Sequence, residues 1–138
     1  MSEYQSSELY QARIVALAKS KTGAGKLASP TKSARRDNPL CGDRVTIDVT
    51  LDNGKIAEIA HQVRGCLLCQ ASAAALAKTA VGRDASGIAE LRHDAERAIG
   101  REAGKAHEPF DAFEPVASHK SRHECVLLPF EALKDALS

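Results

Sequence analysis

The sequence predicts an α+β fold in which an antiparallel hairpin is set among helices, and three observations predict it. Residues 44–51 alternate, with Val45, Ile47, Val49 and Leu51 on one side and Arg44, Thr46, Asp48 and Thr50 on the other, which is the two-residue period of a half-buried strand. Asp52-Asn53-Gly54 follows at once. Asn and Gly tolerate positive φ, so the chain should reverse there into a return strand over 55–64. The remaining apolar segments recur at helical spacing.

A chain of 138 residues with a formal net charge of +1 is expected to form one domain, 1–138, large enough to bury a core. The near-neutral charge argues against a nucleic-acid partner, and the absence of Trp argues against base stacking. Lys19, Lys21, Lys26, Lys32, Arg35 and Arg36 crowd the N-terminal third, as a solvated arm or as a docking patch for an acidic partner. No apolar run is long enough to span a bilayer. The polar, acidic start Met1-Ser2-Glu3 is unlike a signal peptide, so a cytoplasmic location is expected. In a reducing compartment the four cysteines read as metal ligands or reactive thiols before disulfides.

In chain order, Tyr10, Ile14, Leu17 and Ala18 predict a helix over 7–18, capped by Ser6 or Ser7. Gly23-Ala24-Gly25-Lys26 hints at a phosphate loop, but Leu27 stands where Ser or Thr is needed, and a helix rather than a strand precedes it. The stretch to Arg36 reads as a flexible connection. The alternation of the return strand does not place His61 on either face, and a packing or surface role is expected for it ahead of metal ligation. At Gly65-Cys66 the period changes. Residues 67–80, rich in Ala and Leu, predict a helix stopped by Gly82, with Leu68, Ala71, Ala75 and Leu76 toward the core. A helix over 86–99 carries the stripe Ile88, Leu91, Ala95 and Ile99, with Glu90, Arg92, His93, Asp94, Glu96 and Arg97 in solvent. Residues 100–119 read as a long polar connection tacked down by Phe110 and Phe113. The last helix is expected over 126–137. Pro129 would sit in its first turn, and Cys125 at or just before its start.

Cys41-Gly42-Asp43 puts a thiol and a carboxylate two residues apart, and Gly42 allows the tight turn that aims both at one spot. Cys66 and Cys125 stand at helix starts, where unpaired N–H groups and the helix dipole favour the thiolate. Three thiolates and one carboxylate fill a tetrahedral site, and sulfur ligands suit zinc or an iron–sulfur cluster. The expectation is that Cys41, Asp43, Cys66 and Cys125 converge on a metal ion or cluster. The alternative is that these cysteines are small buried hydrophobes. Cys66-Leu67-Leu68-Cys69 opens a further reading, a thiol–disulfide oxidoreductase. Against it, the strands form a hairpin rather than a βαβ unit, and no Trp or Pro flanks the pair. Zinc deaminases also use such a pair, but the preceding Pro and upstream His-x-Glu are missing. Cys69 is a helix residue one turn in, spare or structural. A binding module with a purely structural zinc is a third reading.

Asn38-Pro39-Leu40-Cys41-Gly42-Asp43-Arg44, then Gly65-Cys66 with Ala71-Ser72-Ala73, then Arg122-His123-Glu124-Cys125 with Leu128, Ala132 and Leu133, resemble the three motifs of the U-type iron–sulfur assembly proteins. These are IscU, the N-terminal part of NifU and especially SufU, and the resemblance covers nearly the whole chain. It implies a SufE/NifU-like fold: a small antiparallel sheet of about three strands, helices packed on one face, and the site at one exposed end. It implies that Cys41, Asp43, Cys66 and Cys125 are the ligands of Zn²⁺ or, alternatively, of iron or a [2Fe–2S] cluster. It implies a SufS-like cysteine desulfurase as partner, with Cys125 accepting persulfide sulfur, and downstream iron–sulfur carrier proteins. Arg122 is implied as a partner for Asp43 when that carboxylate leaves the metal. IscU-like proteins carry His directly before the third cysteine, whereas here Glu124 stands there and His123 one place earlier. That difference, and the longer segment between Cys66 and Cys125, favour the zinc-bearing sulfur-transfer branch.

Overall fold

The computed structural model describes residues 3–40 and 42–138, with side chains described from Gln11 onward. The elements are α1 Glu3–Ser20, β1 Lys32–Asn38, β2 Asp43–Asp52, β3 Lys55–Arg64, α2 Leu67–Ala80, α3 Ala85–Ala98 and α4 His123–Leu137. Two 3-10 segments, Phe110–Ser118 and Lys120–Arg122, join α3 to α4.

The strands form one antiparallel meander in the order β1-β2-β3. The β2–β3 hairpin closes through Asn53 (φ 53°) and Gly54 (φ 79°), the positive values that a two-residue turn needs if the strands are to keep their twist. The alternation of β2 is realised, with Val45, Ile47 and Val49 buried to 1% exposure or less while Arg44, Thr46, Asp48 and Thr50 stay partly open. The helices cover the apolar face: α4 packs on β1 and β2, and α2 on β3. Ala71, Ala75 and Leu76 of α2 join Val126, Leu127, Phe130 and Leu133 of α4 in one core with the strand residues. The fold is therefore the α+β arrangement of three strands with helices on one side.

Both sheet edges are managed. Along β3, Ile56 N–H donates to Arg83 (2.9 Å) and accepts through its carbonyl from Gly82 (2.8 Å), while His61 bonds Gly23 (2.8 Å) and Gly25 (2.9 Å) in the same two-way manner. On the outer side of β1, Lys32, Arg35 and Arg36 supply the charge that discourages pairing with another chain.

Strand β1 corrects the expectation of a flexible connection through Arg36. An edge strand open along most of its length needs no apolar alternation, and Asn38 is the one buried residue in it. Its cations are not a free arm: Arg36 pairs with Asp135 of α4 at 2.7 Å, and Lys32 Nζ donates to the Ser138 carbonyl at 2.9 Å. Helix α1 begins at Glu3, four residues before the expected start.

Helices α2 and α3 fall within one residue of expectation. Asp84 caps α3 by accepting from Gly87 N–H at 2.9 Å. Asp94, expected in solvent, is instead buried. It accepts from His107 N–H at 2.8 Å and pairs with Arg97 at 3.2 Å, which ties the following connection to α3. Phe110 and Phe113 do tack that connection down, at 1% and 0% exposure, and the Phe110 ring meets Phe130 at 5.6 Å. Nine residues of the connection, Phe110–Ser118, are nonetheless 3-10 helix rather than polar loop. Helix α4 starts at His123, three residues before the apolar stripe that betrays it. Cys125 is therefore its third residue rather than its cap. Pro129 lies in the second turn, where its ring removes the donor to the Cys125 carbonyl.

Candidate metal centre

Asp43 is the first residue of β2 and continues the inward stripe of Val45, Ile47 and Val49, so a carboxylate occupies the end of an apolar face. It is 2% exposed. Cys66 is the N-cap residue of α2, extended at φ −72° and ψ 167°, and Cys125 lies in the first turn of α4. One sheet end and two helix starts thus meet. A carboxylate oxygen of Asp43 and the sulfurs of Cys66 and Cys125 all lie within 4.8 Å of one another. Cys66 Sγ is 3.5 Å from Asp43 Oδ2. In a tetrahedral zinc site, a sulfur at about 2.3 Å and an oxygen at about 2.1 Å stand roughly 3.6 Å apart. The donors present fit zinc or iron in kind and in spacing.

The other oxygen, Asp43 Oδ1, accepts from the Cys66 backbone N–H at 3.0 Å. A buried carboxylate is thus held by an amide at the start of a helix, where the dipole favours negative charge. Asp43 and Cys125 are buried, while Cys66 is half-buried, so the centre opens on one side. Leu67, the residue after Cys66, is 42% exposed.

Sequence reasoning brought Asp43, Cys66 and Cys125 to one point, and the structure does the same. Cys41 lies outside the described residues. Gly42 has φ +73°, and its N–H donates to the Asn38 carbonyl at 2.8 Å. Cys69 is completely buried in the core. Arg122 is exposed at the start of α4, and among the described residues it makes no ion pair with Asp43.

His61, His93 and His123 are occupied elsewhere. Arg101 Nε donates to His123 Nδ1 at 3.2 Å, and a guanidinium has no acceptor, so Nδ1 must accept. The proton then sits on Nε2, which lies 3.1 Å from the Ala117 carbonyl. His61 turns out to be buried on the core face. Its Nε2 meets the Thr22 carbonyl at 2.7 Å, Nδ1 is buried with no partner among the described residues, and burial lowers its pKa. His93 is exposed as expected and pairs with Glu102 at 2.5 Å.

The supporting roles of three residues escaped the sequence reading. Ser72 Oγ donates to the Val126 carbonyl at 2.5 Å in the core, joining the two helices that carry Cys66 and Cys125. Arg101 anchors His123 and also Glu124, at 3.1 Å. Gly65 lies directly under the Asp43 carboxylate. A polar Ser at a core position of an Ala-rich helix was the one available signal.

No described helix is long and apolar enough to cross a membrane. Comparison with known proteins agrees with this architecture. The chain is 27% identical over 132 residues to the iron–sulfur cluster assembly scaffold protein IscU of Thermotoga maritima, covering 94% of this chain and 92% of that one. It is 27% identical over 138 residues to the protein of the same name from Streptococcus pyogenes serotype M1, covering 95% and 84%. Among solved structures, the N-terminal NifU-like protein of Brucella abortus superposes with a TM-score of 0.84 at 31% identity, over 93% of this chain and 91% of that one. A SUF-system scaffold protein, FiSufU of Fervidobacterium islandicum AW-1, gives 0.83 at 29% identity, over 91% and 94%. A family profile described as the NifU-like N terminal domain matches residues 9–137. With its meander, its two helix-start cysteines and the aspartate between them all inside that span, the chain belongs to the NifU-like N-terminal domain family.

Proposed function

We propose that this chain is a scaffold of iron–sulfur cluster assembly that receives sulfur, as persulfide, from a cysteine desulfurase at a centre built by Cys41, Asp43, Cys66 and Cys125. The observation that carries the reading is the approach of Asp43, Cys66 and Cys125 donor atoms within 4.8 Å of one another, with Cys66 half-buried. The names of the scaffold relatives, IscU and SufU, support it.

Cys125 is the acceptor. Its thiolate attacks the outer sulfur of the desulfurase persulfide. The S–S bond of the donor breaks, a new S–S bond forms on Cys125, and the desulfurase cysteine leaves as a thiolate. The outer sulfur keeps its proton, and no external oxidant or reductant is needed. Zinc, as the resident ion, supplies Lewis acidity that keeps the cysteines as thiolates. Asp43 is the replaceable ligand, a hard oxygen among soft sulfurs, and Arg122 receives its carboxylate when it moves. A desulfurase of the SufS kind fits the zinc-bearing branch. The alternative occupant is iron or a [2Fe–2S] cluster, the cargo of such a scaffold.

The oxidoreductase reading of Cys66 and Cys69 is not favoured. Cys66 Sγ faces Asp43, Cys69 is sealed in the core, and the preceding strand belongs to a meander.

Metal and sulfide analysis of freshly purified protein, with its absorption spectrum, tests the proposal. Zinc in a colourless protein is expected, together with stimulation of desulfurase turnover that is lost in Cys125→Ala. Unchanged stimulation by Cys125→Ala would refute sulfur transfer to this thiol.

A further inference from the structure

We infer that Gly65 is a positioning residue: the space left by its missing side chain is the seat of the Asp43 carboxylate. The inference rests on the proposed metal centre and deepens it.

Seven of the nine glycines have positive φ, so backbone conformation alone accounts for their being glycine. Gly65 is not among them. What it lacks is room. A Cβ built there would stand 2.4 Å from Asp43 Oδ1, 2.7 Å from Cγ and 3.0 Å from Cβ. Gly87, the other glycine outside the positive-φ group, would meet only the side chain of Arg83, at 3.0 Å. Its nearest atom there is Cβ, which would have to give by only a few tenths of an ångström. Asp43 has no such freedom, because it is 2% exposed and its strand is paired with Asn38 on one side and β3 on the other.

The carboxylate therefore lies flat over the Gly65 backbone. From there Oδ1 reaches the Cys66 N–H at 3.0 Å, and Oδ2 faces Cys66 Sγ at 3.5 Å. Any side chain at 65 evicts the carboxylate from both positions at once. The backbone of 65–66 can keep its course, since it needs no left-handed conformation. Gly65→Ala should thus behave as a loss of the Asp43 ligand in a folded protein.

The test is Zn²⁺ affinity by competition with a chromophoric chelator, and the visible spectrum of the Co²⁺-loaded protein, for the wild type, Gly65→Ala, Asp43→Ala and the double variant. Gly65→Ala is expected to weaken Zn²⁺ binding about 10- to 100-fold, as loss of a ligand's support commonly does. Its Co²⁺ spectrum should move to that of Asp43→Ala. With Asp43 already truncated, adding Gly65→Ala should change affinity by about threefold or less, because the two act on one contact. If Gly65→Ala fails to fold, the double variant should fold, since truncation clears the space.

Three results would overturn the inference: wild-type affinity and spectrum in Gly65→Ala, an equal loss in both backgrounds, or a double variant that also fails to fold. If Asp43→Ala weakens binding while Gly65→Ala does not, the seat is wrong and the metal centre stands. If Asp43→Ala binds like the wild type, both fall.

Discussion

The hydroxyl of Ser72, at 0% exposure in the middle of α2, donates to the carbonyl of Val126, the residue after Cys125, at 2.5 Å. A side chain of one cysteine-bearing helix thereby holds the backbone of the other. Ser72→Ala removes the donor and leaves a buried carbonyl with one partner fewer, which costs about 1 to 3 kcal/mol. The expected result in urea unfolding is a lower midpoint with an unchanged slope. Ser72→Cys, a weaker donor of similar size, should fall between.

Cys69 and Cys66 are separated by burial as well as by position. Cys69→Ala should leave the metal content at the wild-type level and reduce stability by roughly 1 kcal/mol, the order expected for a small core truncation. Cys66→Ala should lose bound metal. Total zinc per chain after gel filtration checks both. Equal metal loss in the two variants would place Cys69 in the centre and undo this division of labour.

Acid should weaken the fold through His61. Burial holds its folded-state pKa below the ordinary value, and a proton arriving on Nδ1 would find no acceptor. The unfolded chain binds that proton near pH ~6.5, so between that pH and the lower folded value the unfolded state carries more protons. Stability from this group is complete above pH ~6.5 and is lost as pH falls through the folded value. Because Nε2 holds the Thr22 carbonyl, the Gly23–Gly25 strap along β3 should open first. Urea midpoints measured downward from about pH 7.5 should decline in the wild type and decline less in His61→Gln.

How far the sequence revealed this molecule depends on the range of the forces involved. The β2–β3 hairpin, α2 and α3 were legible because alternation, a turn with positive φ and a Gly stop act over a few residues. The grouping of Asp43, Cys66 and Cys125 was legible from helix starts, a glycine-spaced pair and the three motifs. Strand β1 was hidden because an exposed edge strand leaves Arg35 and Arg36 where periodicity expects Val or Ile. The start of α4 was hidden for a related reason, since His123 and Glu124 are fixed by Arg101 from another segment rather than by an apolar stripe. Gly65 showed as a change of period, but the carboxylate over it comes from a strand more than twenty residues upstream, a tertiary contact that leaves no local trace.

His123 is the remaining rival for a place on the metal, and its contacts argue against it. It stands two residues before Cys125 on a helix, so the two side chains point to different faces. Arg101 takes Nδ1 and the Ala117 carbonyl takes Nε2, which leaves neither nitrogen for an ion. His123→Ala should therefore keep the full metal complement and the wild-type Co²⁺ spectrum. It should lose roughly 1 to 3 kcal/mol of stability through truncation of a buried side chain. Arg101→Ala should lower stability in the same direction without changing the spectrum, and the two losses should be less than additive because they share one network. A blue shift of the Co²⁺ bands together with metal loss in His123→Ala alone would make this histidine a ligand, and the three-cysteine, one-aspartate set would have to be redrawn.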